Sequence, residues 1–245
     1  AAFIAGGLWA VIPGVMKAYL NVNEVISSIM MNYIGMYLVN YSVSLVLFDA
    51  LRNQSLPVAS TAVIPKMGFD KIFTGSPANG GFVIAILFVI LIYIVLNKTS
   101  FGYEMKACGF NKDASKYAGI NEKRNIILSM VIAGALAGVG GGLLYLSGSG
   151  KFIEVVDVLP AEGFNGIPVA LLGLSNPIGV LFAGLFIAYL NVGGNAMQQF
   201  GFIPQIVDII ISCIIYCSAL SLMIKVWLSK RRKTKELGTA KKEGE

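Results

Sequence analysis

A polytopic, all-α bundle of membrane-spanning helices is the fold this sequence predicts, and three observations carry the prediction. Hydrophobic residues make up 56% of the 245-residue chain and charged residues only 13%, whereas a soluble domain carries about 25% charge. The apolar residues collect in runs, several of which approach or reach the ~20 helical residues that cross about 30 Å of hydrocarbon. The basic residues collect beside those runs, six between Lys98 and Arg124 and eight between Lys225 and Lys242. Basic clusters flanking apolar segments mark the cytoplasmic side of a membrane, so nucleic acid is not an expected partner.

The spans follow in chain order. Residues 3–16 read as the tail of one span, ended by Lys17, and residues 25–48 as a full span with polar residues inside it. Residues 82–96 are fifteen apolar residues without interruption, residues 126–146 form a glycine-rich span, and residues 204–228 form the last one. The stretch 164–190 reads either as one long span or as two short ones turning at Ser175-Asn176-Pro177. Charge favours two: fifteen of the nineteen Lys and Arg, Lys17 included, then lie in the cytoplasm, with Arg52, Lys66, Lys71 and Lys151 outside. Pro177 also lacks the backbone donor that a continuing helix needs. About seven crossings result, with outer segments at 49–79 and at 147–165, the second carrying Glu154, Asp157 and Glu162. Residues 1–228 form the transmembrane domain, 98–124 a polar cytoplasmic loop within it, and 229–245 a basic cytoplasmic tail. Short paired helices are tolerated in a membrane where they pack in protein or line a cavity, so the 164–190 pair points towards a translocation path.

Several chemistries drop out. The chain has no histidine, the commonest general base and metal ligand, and its three cysteines have no CxxC spacing, so no metal site is expected. Cys213 and Cys217 read as small buried thiols in an apolar run, and Cys108 as a thiol kept reduced in the cytosol. No phosphate loop is present: Gly150-Lys151-Phe152 lacks the hydroxyl residue and the following helix, so no bound cofactor is expected and the chain does not itself hydrolyse ATP. An intramembrane enzyme therefore ranks lowest among the function classes. The first twenty residues contain no initiator Met and no charged n-region followed by a cleavage site, so they do not resemble a signal peptide, and the expectation is that the chain begins inside a larger protein.

Polar residues inside the spans are the candidates for function. Glu24, Ser28 and Asn32 form a stripe near the start of the second span. Two readings stand for it: a lining of the path or bundle interior, or an end of helix that Glu24 caps together with Asn23. Asp208, with Gln205 and Ser212 near the same face, is either a gate residue or an interfacial carboxylate reached by water. Gly134, Gly138 and Gly142 stand four residues apart, a spacing that lets helices approach closely. The run Gly163-Phe164-Asn165-Gly166-Ile167, where the acidic outer segment meets the first short helix, offers tight turns beside a stacking group and an amide. Phe164 and Asn165 would suit a planar polar solute.

Four pieces, in order along the chain, carry a resemblance to a known family: NEVISSIMMNYI at 23–34, GYEMKACGFNKDASKYAGIN at 102–121, AGALAGVGGGLLY at 133–145 and GFNGIPVALLG at 163–173. The chain resembles the permease subunit of bacterial ATP-binding-cassette importers for branched-chain amino acids, ribose and nucleosides, most closely the nucleoside branch. The resemblance implies a protein of the bacterial plasma membrane that pairs with a second permease, two cytoplasmic ATPase subunits that hydrolyse the ATP, and an external substrate-binding lipoprotein. It further implies about three more N-terminal spans, so that this chain would be the C-terminal part of a roughly ten-span permease. Residues 102–121 would hold the helix that couples to the ATPase. Gly102 and Lys106 open this segment, Gly109 and Gly119 bracket the short helix, Asn111 caps it, and Ala114 and Ala118 leave a smooth face. Two residues depart from the family: Lys106 stands where arginine is common, and Asn165 where an acidic residue is common. The alternative class, a secondary transporter driven by an ion gradient, needs ionisable residues within the membrane, and only Glu24 and Asp208 qualify.

Overall fold

The computed structural model describes residues 1–49, 52, 54–66, 79–148, 151–201, 203, 205–206, 209–217 and 220. These fall into two compact units, residues 1–159 and 160–245.

The first unit begins with helices α1 (Ala2–Leu20) and α2 (Glu24–Val46). Lys17 does not end the first span as expected; it lies inside α1, which stops at Asn21 in the left-handed region at φ 50°. A lysine one turn from a helix end can carry its ammonium to the membrane surface while its stem stays in the apolar layer. After α2 come two short antiparallel strands, β1 (Phe48–Asp49) and β2 (Gln54–Ser55), then α3 (Gly81–Lys98), α4 (Ser100–Phe110), α5 (Lys112–Tyr117) and α6 (Glu122–Tyr145). The two segments expected outside are tied to each other at one end of this unit. The Ser55 amide donates to the Ile153 carbonyl at 2.8 Å, the Ile64 amide to that of Leu146 at 2.9 Å, and the Asn79 side chain to that of Ser147 at 2.8 Å.

The tightest packing in the unit is between α1 and α6. A Cβ on Gly6 would collide with the Gly134 carbonyl and stand 2.9 Å from the Gly138 Cα; one on Gly134 would collide with the Ala10 methyl, and one on Gly142 would lie 3.2 Å from that of Ala2. Ala2, Gly6, Ala10 and Gly14, spaced by four, thus meet Gly142, Gly138, Gly134 and the backbone of Ile127 in antiparallel register. Small residues on both helices let the backbones approach, and dispersion replaces the hydrophobic drive that is weak within lipid. Lys123 at the start of α6 lies 4.7 Å over the Tyr19 ring at the end of α1, closing the pair at that end.

The second unit opens with α7 (Ala161–Leu172) and α8 (Pro177–Met197). The turn falls where the Asn-Pro step predicts it: Leu174 and Ser175 both take positive φ, and Asn176 caps α8 by accepting from the Ile178 amide at 3.1 Å. The hairpin is close, since a Cβ on Gly179 would strike the Gly173 carbonyl. The two helices are not both short spans, however. With 12 residues α7 is about 18 Å long and does not cross the bilayer by its own length, whereas the 21 residues of α8 do. The run 163–167 is also not a turn: these residues lie within α7, and a Cβ on Gly163 or Gly166 would meet nothing within 4 Å.

Five helices among the described residues are long and apolar enough to span, namely α1, α2, α3, α6 and α8, so the chain is a polytopic helical membrane protein. Of the expected seven crossings, α7 supplies only a half-length helix. Of the last span, 204–228, residues 205–206, 209–217 and 220 are described and are helical; the rest of it, Asp208 and the tail 229–245 lie outside the described residues. Cys213 and Cys217 sit on described helical residues and are exposed within this chain, not buried as expected.

Candidate functional site: the polar helical pair between α3 and α6

The polar segment at 98–124, expected as a loop around one short helix, folds as two helices. Thr99 makes the bend after α3: its hydroxyl donates to the Val95 carbonyl at 2.6 Å and accepts from the Gly102 amide at 3.2 Å, serving as the cap of α4. Gly102 is required at the bend, because a Cβ there would strike the Val95 carbonyl and lie 2.6 Å from the Leu96 Cα. Polar composition reads as loop, yet a hydroxyl cap followed by eleven residues without proline is enough for a helix once one face is held.

Gly109 is therefore inside α4 and does not break the chain ahead of the short helix; a Cβ there would meet nothing within 4 Å. Asn111 makes the break. Its backbone is extended, and its side-chain oxygen accepts from the Ala114 amide at 3.1 Å, capping α5. The Ser115 hydroxyl, buried, donates back to the Asn111 carbonyl at 2.7 Å. At the other end the Ile120 amide bonds the Ser115 carbonyl and the Gly119 amide that of Lys116, both at 3.0 Å. With Gly119 at φ 79° this is a Schellman ending, which favours glycine at the left-handed position. Ala114 and Ala118 are both exposed.

What the pair presents outward was not read from the sequence. Phe110 is 91% exposed and Tyr117 94% exposed, on a segment where Lys112, Asp113 and Lys116 supply charge. Two large aromatic side chains this open are not parts of a core. The signal available was their position at the ends of the two helices, where no described residue covers them. Lys106, which the resemblance sets towards an ATPase, donates to the Asn97 side chain of α3 at 2.7 Å.

The other expected residues stand apart from this pair. Glu24 opens α2, Asn23 caps that helix by accepting from the Val25 amide at 2.9 Å, and the Glu24 carboxylate pairs with Lys17 at 2.6 Å. The geometry is that of a capped and charge-neutralised helix start. Ser28 is half-buried and Asn32 exposed. A cavity of about 300 Å³ opens beside the Lys17–Glu24 pair, lined also by Cys108, Gly109, Lys112 and Asn125. Phe164 and Asn165 are exposed on α7 in the second unit. Among the described residues no three His, Cys, Asp or Glu side chains converge to hold a metal.

Known proteins resemble the chain along nearly its whole length. The nucleoside ABC transporter permease protein NupB of Lactococcus lactis subsp. cremoris is 37% identical over 99% of this chain and 68% of its own. The guanosine ABC transporter permease protein NupP of Bacillus subtilis is 37% identical over 94% of this chain and 66% of its own. The glucose ABC transporter permease protein TsgB13 of Haloferax volcanii is 31% identical over 88% of this chain and 58% of its own. The chain thus spans about two thirds of the length of the first two. No solved structure matches. The model of the permease component of branched-chain amino acid transport systems matches residues 1–219, and the chain belongs to that family.

Proposed function

We propose that the chain forms part of the membrane permease of an ATP-driven importer of nucleosides in a bacterial plasma membrane, and that α4 and α5 are its contact with a cytoplasmic ATP-binding subunit. The observation that carries the coupling reading is the exposure of Phe110 and Tyr117 on a capped, charged helical pair between two spans. Aromatic anchors ringed by polar residues are the usual centre of a protein interface. Assignment of this end to the cytoplasm rests on the six basic residues between Lys98 and Arg124. The acidic strap at 147–165 then faces the external substrate-binding lipoprotein, and a second permease covers apolar faces that this chain leaves open. The basic tail 229–245 returns to the cytoplasm. On this reading Glu24, Ser28, Asn32, Phe164, Asn165 and Asp208 are assigned to the solute path.

The nucleoside reading is supported by the names of the two relatives at 37% identity, against glucose for the one at 31%. Uptake of radiolabelled nucleosides and sugars, in cells with and without the intact gene, tests it. Loss of nucleoside uptake alone supports the reading; loss of sugar uptake with nucleoside uptake intact overturns it.

A further inference from the structure

Asn125 is the most deeply buried polar side chain where α4 crosses the start of α6, with 3% of its surface exposed. Its Nδ2 donates to Glu104 Oε2 at 3.2 Å and faces Cys108 Sγ at 3.8 Å, while its Oδ1 has no partner. Leaving an amide oxygen dry and unpaired is costly, and a leucine here would bury without that cost. What the amide provides instead is a charge-assisted hydrogen bond of defined length and direction between two helices, where an apolar contact could slide. On its other flank α4 is held to α3 by Thr99, by the close approach of Gly102 and by the Lys106–Asn97 bond. Its outer end leads into α5 and the open aromatics.

We propose that Asn125 is a positioning residue that, through Glu104, makes α4 a lever on α6. This rests on the reading that α4 and α5 meet an ATP-binding subunit. A displacement imposed at α5 then passes along α4, which is fixed to α3, and reaches α6 through the Glu104–Asn125 bond. Because α6 is interlocked with α1 by Gly6, Gly134 and Gly138, both spans receive it together.

Hydrogen–deuterium exchange of the full-length permease assembled with its ATP-binding subunit, with and without ATP and vanadate, tests the lever. In the wild type, peptides from α4 and from the first two turns of α6 change protection together. In Asn125→Leu and in Glu104→Leu the subunit still co-purifies and α4 still responds, but the α6 response falls at least threefold, and the double variant falls no further than either single one. Glu104→Gln keeps an oxygen acceptor and recovers at least half of the response. An undiminished α6 response in Asn125→Leu, an absent α6 response in the wild type, or equal loss in Glu104→Gln and Glu104→Leu overturns the proposal. If Asn125→Leu fails to assemble, the Glu104→Leu and Glu104→Gln pair decides alone. If α4 does not respond in the wild type, the coupling reading has failed, and the proposal fails with it.

Discussion

Between α1 and α6 the backbones touch, with Gly6 against Gly134 and Gly138 and no side chain between them; the outer end of α4 and α5 are held by caps and a few polar bonds, with Phe110 and Tyr117 open. At its centre the first contact is made of shape, and a Cβ on Gly6, Gly134 or Gly138 must displace a backbone atom. The second depends on hydrogen-bond donors and acceptors at named positions, and its largest side chains are free. A permease that is moved by a separate motor needs both, a span pair that keeps its geometry and a surface that a partner can grip.

That contrast is broken most severely by filling the span contact. Gly6→Leu forces side-chain carbons into the Gly134 carbonyl and is expected to cost about 3 kcal/mol or more, read as a loss of folded protein in detergent melts. The partner helix α6 supplies the control: a Cβ on Gly140 meets nothing within 4 Å, so Gly140→Ala should leave the melt unchanged or raise it, by up to about 1 kcal/mol, through helix propensity. Equal damage from both would show that the register between α1 and α6 is wrong.

The proposed docking surface should respond the other way. Phe110→Ser with Tyr117→Ser should leave stability within about 0.5 kcal/mol, while weakening ATP-binding-subunit association by about 2 kcal/mol, roughly thirtyfold, measured by co-purification at graded concentrations. Smaller is the effect of the helix ends. Gly119→Ala places a Cβ at φ 79° and Asn111→Ala removes the cap of α5; each should cost about 1 kcal/mol, seen as faster amide exchange confined to 112–120. Smallest is Glu24→Gln. Its carboxylate is half exposed beside Lys17, and a pair so open contributes about 0–1 kcal/mol, so the melt should hold, and uptake that holds with it would take Glu24 out of the solute path.

The long spans were legible because each needs only length and apolarity: 82–96 falls inside α3, and 126–146 matches α6 up to Tyr145, with Leu146 as its cap. Asn111 as a cap and the break before Pro177 were legible for the same local reason, a side chain acting on its own backbone. Half of the α1–α6 contact was visible in Gly134, Gly138 and Gly142, but its other half, Ala2, Gly6, Ala10 and Gly14, lay unnoticed in an ordinary apolar run. Only register tells which small residues meet. The helical state of α4 and of 163–167 was hidden because Gly and Asn permit turns without requiring them, and the surrounding helix decided. Glu104 and Asn125, twenty-one residues apart, have no local pattern that joins them.

Photo-crosslinking in native membranes, from a benzoyl-phenylalanine placed at position 117 or at position 158 of the full-length permease, tests the central claim most directly. Tyr117 and Val158 are both exposed, on the polar helical pair and on the strap at 147–165. A product with the ATP-binding subunit from position 117 and none from position 158 is the predicted result. Capture of that subunit from position 158, with none from position 117, would contradict the account.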